Sequence, residues 1–123
     1  MAFAASIVRF NLPDDILAAT EWPFVANRMF MLSAIPGTKR GGHAHKKCSQ
    51  FMVSINGTID VLCENGPIEE TFRLDSVVKG LWIPPMHWGE VKFITRSVLV
   101  VLCDRPYEAD DYIRKYSEFV KMQ

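Results

Sequence analysis

Gln50-Phe-Met-Val-Ser-Ile-Asn-Gly-Thr-Ile-Asp-Val-Leu-Cys-Glu64 decides the fold class. Its two halves, residues 50–55 and 58–64, are short apolar-rich runs carrying β-branched side chains. Between them stands Asn56-Gly57, the dipeptide best able to take the left-handed φ values of a tight two-residue turn. The stretch predicts a β-hairpin. The same pattern extends outward. Residues 28–35 are apolar-rich and end at Pro36-Gly37, and the strand at 58–64 stops at Asn65-Gly66-Pro67. Residues 68–74 alternate, and 81–83 run into Pro84-Pro85. Residues 90–94 and 97–103 close the series, and the last run is nearly all Val and Leu, as in a central strand buried on both faces or nearly so. Many short strands with Gly/Pro turns make an all-β sandwich or barrel.

The tail has a different period. In residues 110–120, Tyr112, Tyr116 and Phe119 fall at i, i+4 and i+7, one apolar stripe of a helix. Asp110 or Asp111 is placed to cap its start, and both tyrosines read as core. Residues 13–17, Pro-Asp-Asp-Ile-Leu, read as a short turn or helix.

The chain has 123 residues, enough for one domain over 1–123 and too few for two. It is 49% hydrophobic and 23% charged, with 14 basic against 14 acidic residues. Zero net charge gives no reason to expect nucleic-acid binding, so an anion site must be local. Cys48, Cys63 and Cys103 lie in or beside apolar strand-like runs and read as small buried thiols, consistent with a reducing cytoplasm. The N-terminus does not read as a signal peptide, and no apolar run is long enough to cross a bilayer.

Arg40-Gly41-Gly42-His43-Ala44-His45-Lys46-Lys47 carries the chemistry. Residues i and i+2 share a strand face, so His43 and His45 point together. Lys39, Arg40, Lys46 and Lys47 crowd the same positions. Two imidazoles in a basic collar point to acid–base or metal chemistry on an anionic substrate.

The spacing from His43 through His45 and Gln50 to Gly57 resembles the first motif of the cupin superfamily, which implies a jelly-roll barrel with a short C-terminal helix. A metal site is disfavoured on the residues present. Gln50 stands where many cupins carry a ligating Glu, and Gly89 stands where a further His is expected, with His87 displaced by two positions. The likeness narrows further. The block from Arg40 to Lys47, then Asn56-Gly57, then Leu74-Asp75-Ser76 leading to Gly80-Leu-Trp-Ile-Pro-Pro-Met86, then Asp111-Tyr-Ile-Arg-Lys-Tyr-Ser-Glu-Phe119 resemble the WxcM-like sugar 3,4-ketoisomerases.

That resemblance implies a metal-free homodimer acting on a dTDP-linked sugar; no cofactor is expected, and the cysteines suit a cytoplasmic location. It would move the keto group of dTDP-4-keto-6-deoxyglucose from C4 to C3 through an enediol in deoxyaminosugar biosynthesis. His43 and His45 are the expected base and acid, in unassigned order, because imidazole titrates near working pH. Arg40 is the expected oxyanion or phosphate partner. Arg28 and Lys46 are further candidates for the diphosphate. Phe30, Trp82 and Trp88 are candidates to stack on the thymine, and Gln50 and His87 are candidate inward-facing substrate contacts. The exchanged edge strand of a dimer is expected in residues 7–10. Two departures stand out: Met29-Phe30-Met31 where relatives commonly carry tyrosines, and Gly89 where many carry His. Three other readings use the same residues. They are a nucleotide-sugar epimerase, a metal-dependent cupin oxygenase and a non-catalytic nucleotide-sugar-binding cupin.

Overall fold

Along Ile59–Glu64 every second side chain is buried, and the same period runs through Ser97–Cys103. Successive strand side chains point to opposite faces, so each run offers one face to a core. A computed structural model describes residues 5–9 and 24–123. The segment at 13–17 lies outside the described residues.

The described strands are β1 (Ser6–Arg9), β2 (Arg28–Ala34), β3 (Lys39–His45), β4 (Gln50–Asn56), β5 (Ile59–Glu64), β6 (Glu69–Leu74), β7 (Lys79–Ile83), β8 (Trp88–Phe93), β9 (Ser97–Cys103) and β10 (Tyr112–Ile113). A 3₁₀ turn, Ala109–Asp111, precedes β10, and the helix α1 (Tyr116–Lys121) follows it. One sheet runs β1-β7-β4-β9-β2 and the other β10-β3-β8-β5-β6. Every described ladder is antiparallel. Ile59, Val61, Leu74 and Phe93 of one sheet share a core with Leu81, Leu99 and Val101 of the other. Each such side chain contributes about 1.5–3 kcal/mol by leaving water.

Three expectations are corrected. The fold is all-β with a short C-terminal helix, but it is not a barrel: neither sheet closes on itself, β1 and β2 being the edges of one and β10 and β6 of the other. Sandwiches and barrels demand the same inside–outside alternation along a strand, so the pattern alone does not separate them. Asn56-Gly57 makes no hairpin. β4 pairs with β7 and β9, and β5 with β6 and β8, so this turn carries the chain from one sheet to the other. Gly57 has φ +74°, and the crossing is held by Val98 N–H donating to Asn56 Oδ1 at 2.9 Å and Thr58 N–H to Thr95 Oγ1 at 2.9 Å. Among the described residues the hairpin lies instead at residues 65–68, where Glu64 faces Glu69.

The third correction concerns the tail. The helix starts at Tyr116, and Tyr112 and Ile113 instead pair with His45 and Ala44 as an edge strand. Phe119 does reach a core, a second cluster with Ala44, Trp88 and Ile113 on the outer face of the β3–β8 sheet. Tyr116 is exposed and donates from its hydroxyl to Glu64 Oε1 at 2.6 Å. The chain's early strand β1 pairs with β7 of the same chain. Among the described residues no helix is long and apolar enough to cross a membrane.

Candidate active site

β3 reaches the site through a bulge. Arg40 faces Val91 and Gly41 faces Glu90, but Gly89 faces His43, so Gly42 is an extra residue in the ladder. A single inserted residue reverses the faces of everything after it. Here it moves His43 and His45 onto the inner face already occupied by Arg40. Gly41 and Gly42 take φ +89° and +76°, values that a side chain disfavours. A Cβ on Gly41 would stand 2.9 Å from the Gly89 carbonyl oxygen.

The two imidazoles meet edge to face, centroids 5.1 Å apart at 88°. Two spaces adjoin them. A cleft of about 300 Å³ is walled by Arg28, Phe30, Arg40, His43, Tyr112 and Arg114. Behind it an inner cavity of about 30 Å³ is lined by His43, His45, Cys48, Gln50 and His87. His43 and Gln50 border both spaces, whereas His45 borders only the inner one.

His45 is fixed by Asp111. Its Nδ1 donates to Oδ2 at 2.9 Å, and the same carboxylate accepts Lys47 N–H at 2.7 Å and Cys48 N–H at 3.3 Å. Burial pushes Asp111 upward, but these hydrogen bonds outweigh it and hold the carboxyl below its usual range. A carboxylate is acceptor-only, so Nδ1 carries the proton and Nε2 of neutral His45 is the bare nitrogen. Burial outweighs Asp111 in turn and keeps His45 below the ordinary imidazole value. Burial first, then His45 and Arg114, lower His43 to about 4. Both rings are neutral at physiological pH.

His87 follows the turn Pro84-Pro85-Met86, in which Met86 takes φ +62° and donates its N–H to the His45 carbonyl at 2.7 Å. Its Nδ1 donates to the Pro85 carbonyl at 3.1 Å, and its ring borders the inner cavity rather than the cleft. Phe30 is half-buried in the cleft with the Arg28 guanidinium 4.7 Å over its ring. Trp88 packs on Tyr116 and Phe119 beneath α1 and donates to Glu90 Oε2 at 3.0 Å. Trp82 lies in register with Phe51 and Ser6, on the face of β7 opposite to buried Leu81 and Ile83. Lys46 is exposed in the turn after β3.

Asp111, Tyr112 and Arg114 are site residues that the sequence reading did not select. Tyr112 lies against both imidazoles, 5.0 Å from His43 and 4.3 Å from His45 by centroid. Arg28 Nη1 donates to its hydroxyl at 3.3 Å, and Arg114 lies 4.2 Å over its ring. The Asp-Tyr-Ile-Arg run was itself the available signal.

Among the described residues one cluster has the residue types of a metal site: donor atoms of His45, Cys48 and Asp111 lie within 4.8 Å of one another. Its chemistry does not fit. The carboxylate is already bonded to His45 and to two backbone N–H groups, and neighbouring Cys103 together with burial pushes the Cys48 thiol far up. A thiol that stays protonated is a poor ligand.

A two-sheet sandwich with neutral paired imidazoles under a cationic cleft defines a class, proton-transfer enzymes acting on anionic substrates. The comparisons give the family. The FdtA family model, described as WxcM-like, C-terminal, matches residues 15–123, and the chain belongs to that family, within the cupin superfamily. A TDP-4-oxo-6-deoxy-alpha-D-glucose-3,4-oxoisomerase of Aneurinibacillus thermoaerophilus is 38% identical over 101 residues, 80% of this chain and 73% of the relative. Among solved structures, a 3,4-ketoisomerase from Helicobacter canadensis superposes with TM-score 0.89 at 28% identity, covering 96% of each chain. The sugar 3,4-ketoisomerase QdtA of Thermoanaerobacterium thermosaccharolyticum, in complex with TDP, superposes with TM-score 0.90 at 26% identity, covering 99% of this chain and 96% of that one.

Proposed function

We propose that this protein is a sugar 3,4-ketoisomerase that converts dTDP-4-keto-6-deoxyglucose to the 3-keto isomer in deoxyaminosugar biosynthesis. The observation that carries the reading is His43, a neutral imidazole at a cleft bounded by Arg28, Arg40 and Arg114. The ketone acidifies the neighbouring C3–H, and His43 is the group bordering the cleft that can take that proton. His45, held by Asp111 and abutting His43 edge-on, fixes the orientation of that ring from behind. Arg40 and Arg114 are placed for the diphosphate, where a guanidinium offers a two-pronged contact. Phe30 is the flat partner for thymine, since Trp82 and Trp88 lie outside the cleft.

The protein is a homodimer in the cytoplasm. Support for a second copy comes from the outer face of the first sheet, where Met29 and Met31 are exposed beside half-buried Val98, Val100 and Leu102 of β9. Apolar side chains grouped on one sheet face suit contact with a second copy. Support for the compartment comes from three free, buried thiols.

Incubation with dTDP-4-keto-6-deoxyglucose in deuterated water tests the activity. A 3-keto product with solvent deuterium at C3 of recovered substrate or C4 of product is expected. Exchange at C5 instead would assign an epimerase, and TDP binding with no exchange would assign a binding protein. Either result ends the ketoisomerase reading.

A further inference from the structure

Moving a keto group from C4 to C3 transfers two protons. One passes from C3 to C4, the other from the O3 hydroxyl to O4. A single imidazole bordering the cleft accounts for the first. The second needs a weak acid near the oxygens whose conjugate base is tolerated.

We propose that Tyr112 is that second catalytic residue, and that its phenol carries the oxygen-bound proton. This rests on the ketoisomerase reading. Pairing of Tyr112 with His45 sets the ring at the cleft wall against both imidazoles, and the side chain is half-buried there. Arg28, itself in the cleft, donates Nη1 to the phenol oxygen at 3.3 Å. Arg114 lies over the ring at 4.2 Å, and Tyr107 packs at 5.5 Å. Two guanidiniums thus stand against one phenol, Arg28 at its oxygen and Arg114 over its ring.

The steps balance without a co-reactant. His43 takes the C3 proton as Tyr112 gives its hydroxyl proton to O4, and the C3–H electron pair becomes the C3–C4 double bond of the enediol. The tyrosinate, beside Arg28, then takes the O3 proton. The C3–O3 bond becomes the carbonyl, and the double-bond pair takes the proton from the His43 imidazolium at C4. Both residues end as they began.

The test uses the full chain and dTDP-4-keto-6-deoxyglucose. Tyr112→Phe keeps the ring contacts and removes the proton, so kcat is expected to fall about a hundredfold or more, with TDP binding retained. A kcat within about threefold of wild type would overturn the proposal. If the Phe variant folds poorly, 3-fluorotyrosine in a Tyr107→Phe/Tyr116→Phe background, where residue 112 is the remaining tyrosine, provides the reading. The groups facing the phenol are Arg28 from β2, His43 and His45 from β3, and Arg114 and Tyr107 from the tail. Of these, Tyr107 is replaced, Arg28 is held above its ordinary value, and both histidines, held below theirs, are neutral throughout the alkaline range. The alkaline limb of kcat is therefore expected to move to lower pH, and an unmoved limb overturns the proposal. Absence of turnover by wild type would instead end the ketoisomerase reading, so the two failures are distinct.

Discussion

At the scale of single residues, Asp111 joins stability to chemistry. Its carboxylate satisfies the imidazole of His45 and two N–H groups of the turn after β3. Asp111→Asn keeps the shape but presents an amide NH₂ where an acceptor is needed, which leaves a buried donor unpaired. Such a group costs about 1–3 kcal/mol, and denaturant unfolding is expected to show a loss of that size. The variant also frees the His45 ring to turn, and kcat is expected to fall by about tenfold or more, the effect of misplacing a proton-transfer group. A variant with normal kcat and normal stability would remove Asp111 from the site. Sequence alone hid this role because an Asp ahead of an apolar stripe at helical spacing reads as a helix cap. His43 and His45 were legible because strand period alone puts them together.

At the scale of elements, the two-glycine bulge of β3 decides what the histidines face. Strict alternation from Arg40 would send His43 and His45 outward, where Ala44 now packs with Trp88 and Phe119. The pairing of Arg40 with Val91 and of His43 with Gly89 shows the slip that prevents it. Gly41→Ala places a Cβ against the Gly89 carbonyl at a residue with φ +89°. A destabilisation of about 1–3 kcal/mol is expected from the strained φ, with kcat reduced because the bulge sets the direction of His43. An alanine variant with wild-type unfolding and wild-type kcat would mean that the bulge is dispensable. Strand existence was legible from turn residues and apolar runs, and residues 97–103 were legible to their ends. Pairing was less so. Asn56-Gly57 has the chemistry of a tight turn, but it is the partner strands, β7 and β9 for β4 and β8 for β5, that make it a crossing between sheets. Likewise the helical period at Tyr112 yields to a short β pairing with His45, because the β3 edge offers unpaired backbone groups there.

For the whole molecule, the enclosed imidazoles make stability depend on pH. His43, His45 and His87 all titrate below their ordinary value because the fold buries them, His43 at about 4. The unfolded chain takes up these protons near pH 6.5, so between that pH and about 4 the unfolded state binds more protons than the folded one. Stability therefore falls as the pH falls through that window. Asp111, with its carboxyl held low, acts in the same direction from about pH 4 downward, where the unfolded carboxyl is protonated before the folded one. Each unit of separation is worth about 1.4 kcal/mol, so His43 alone accounts for a loss of at most about 1.5 kcal/mol between pH 6.5 and 5, reduced by whatever water reaches its half-buried ring. Urea unfolding at fixed temperature across pH 7.5 to 4.5 is expected to show this decline, and His43→Asn is expected to make it shallower by removing one of the buried imidazoles. A wild-type profile level from pH 7 to 5 would mean that the site stays open enough for water to solvate a protonated His43. The ring would then be an ordinary surface imidazole, and the argument that it stands neutral and ready as a base would lose its physical ground.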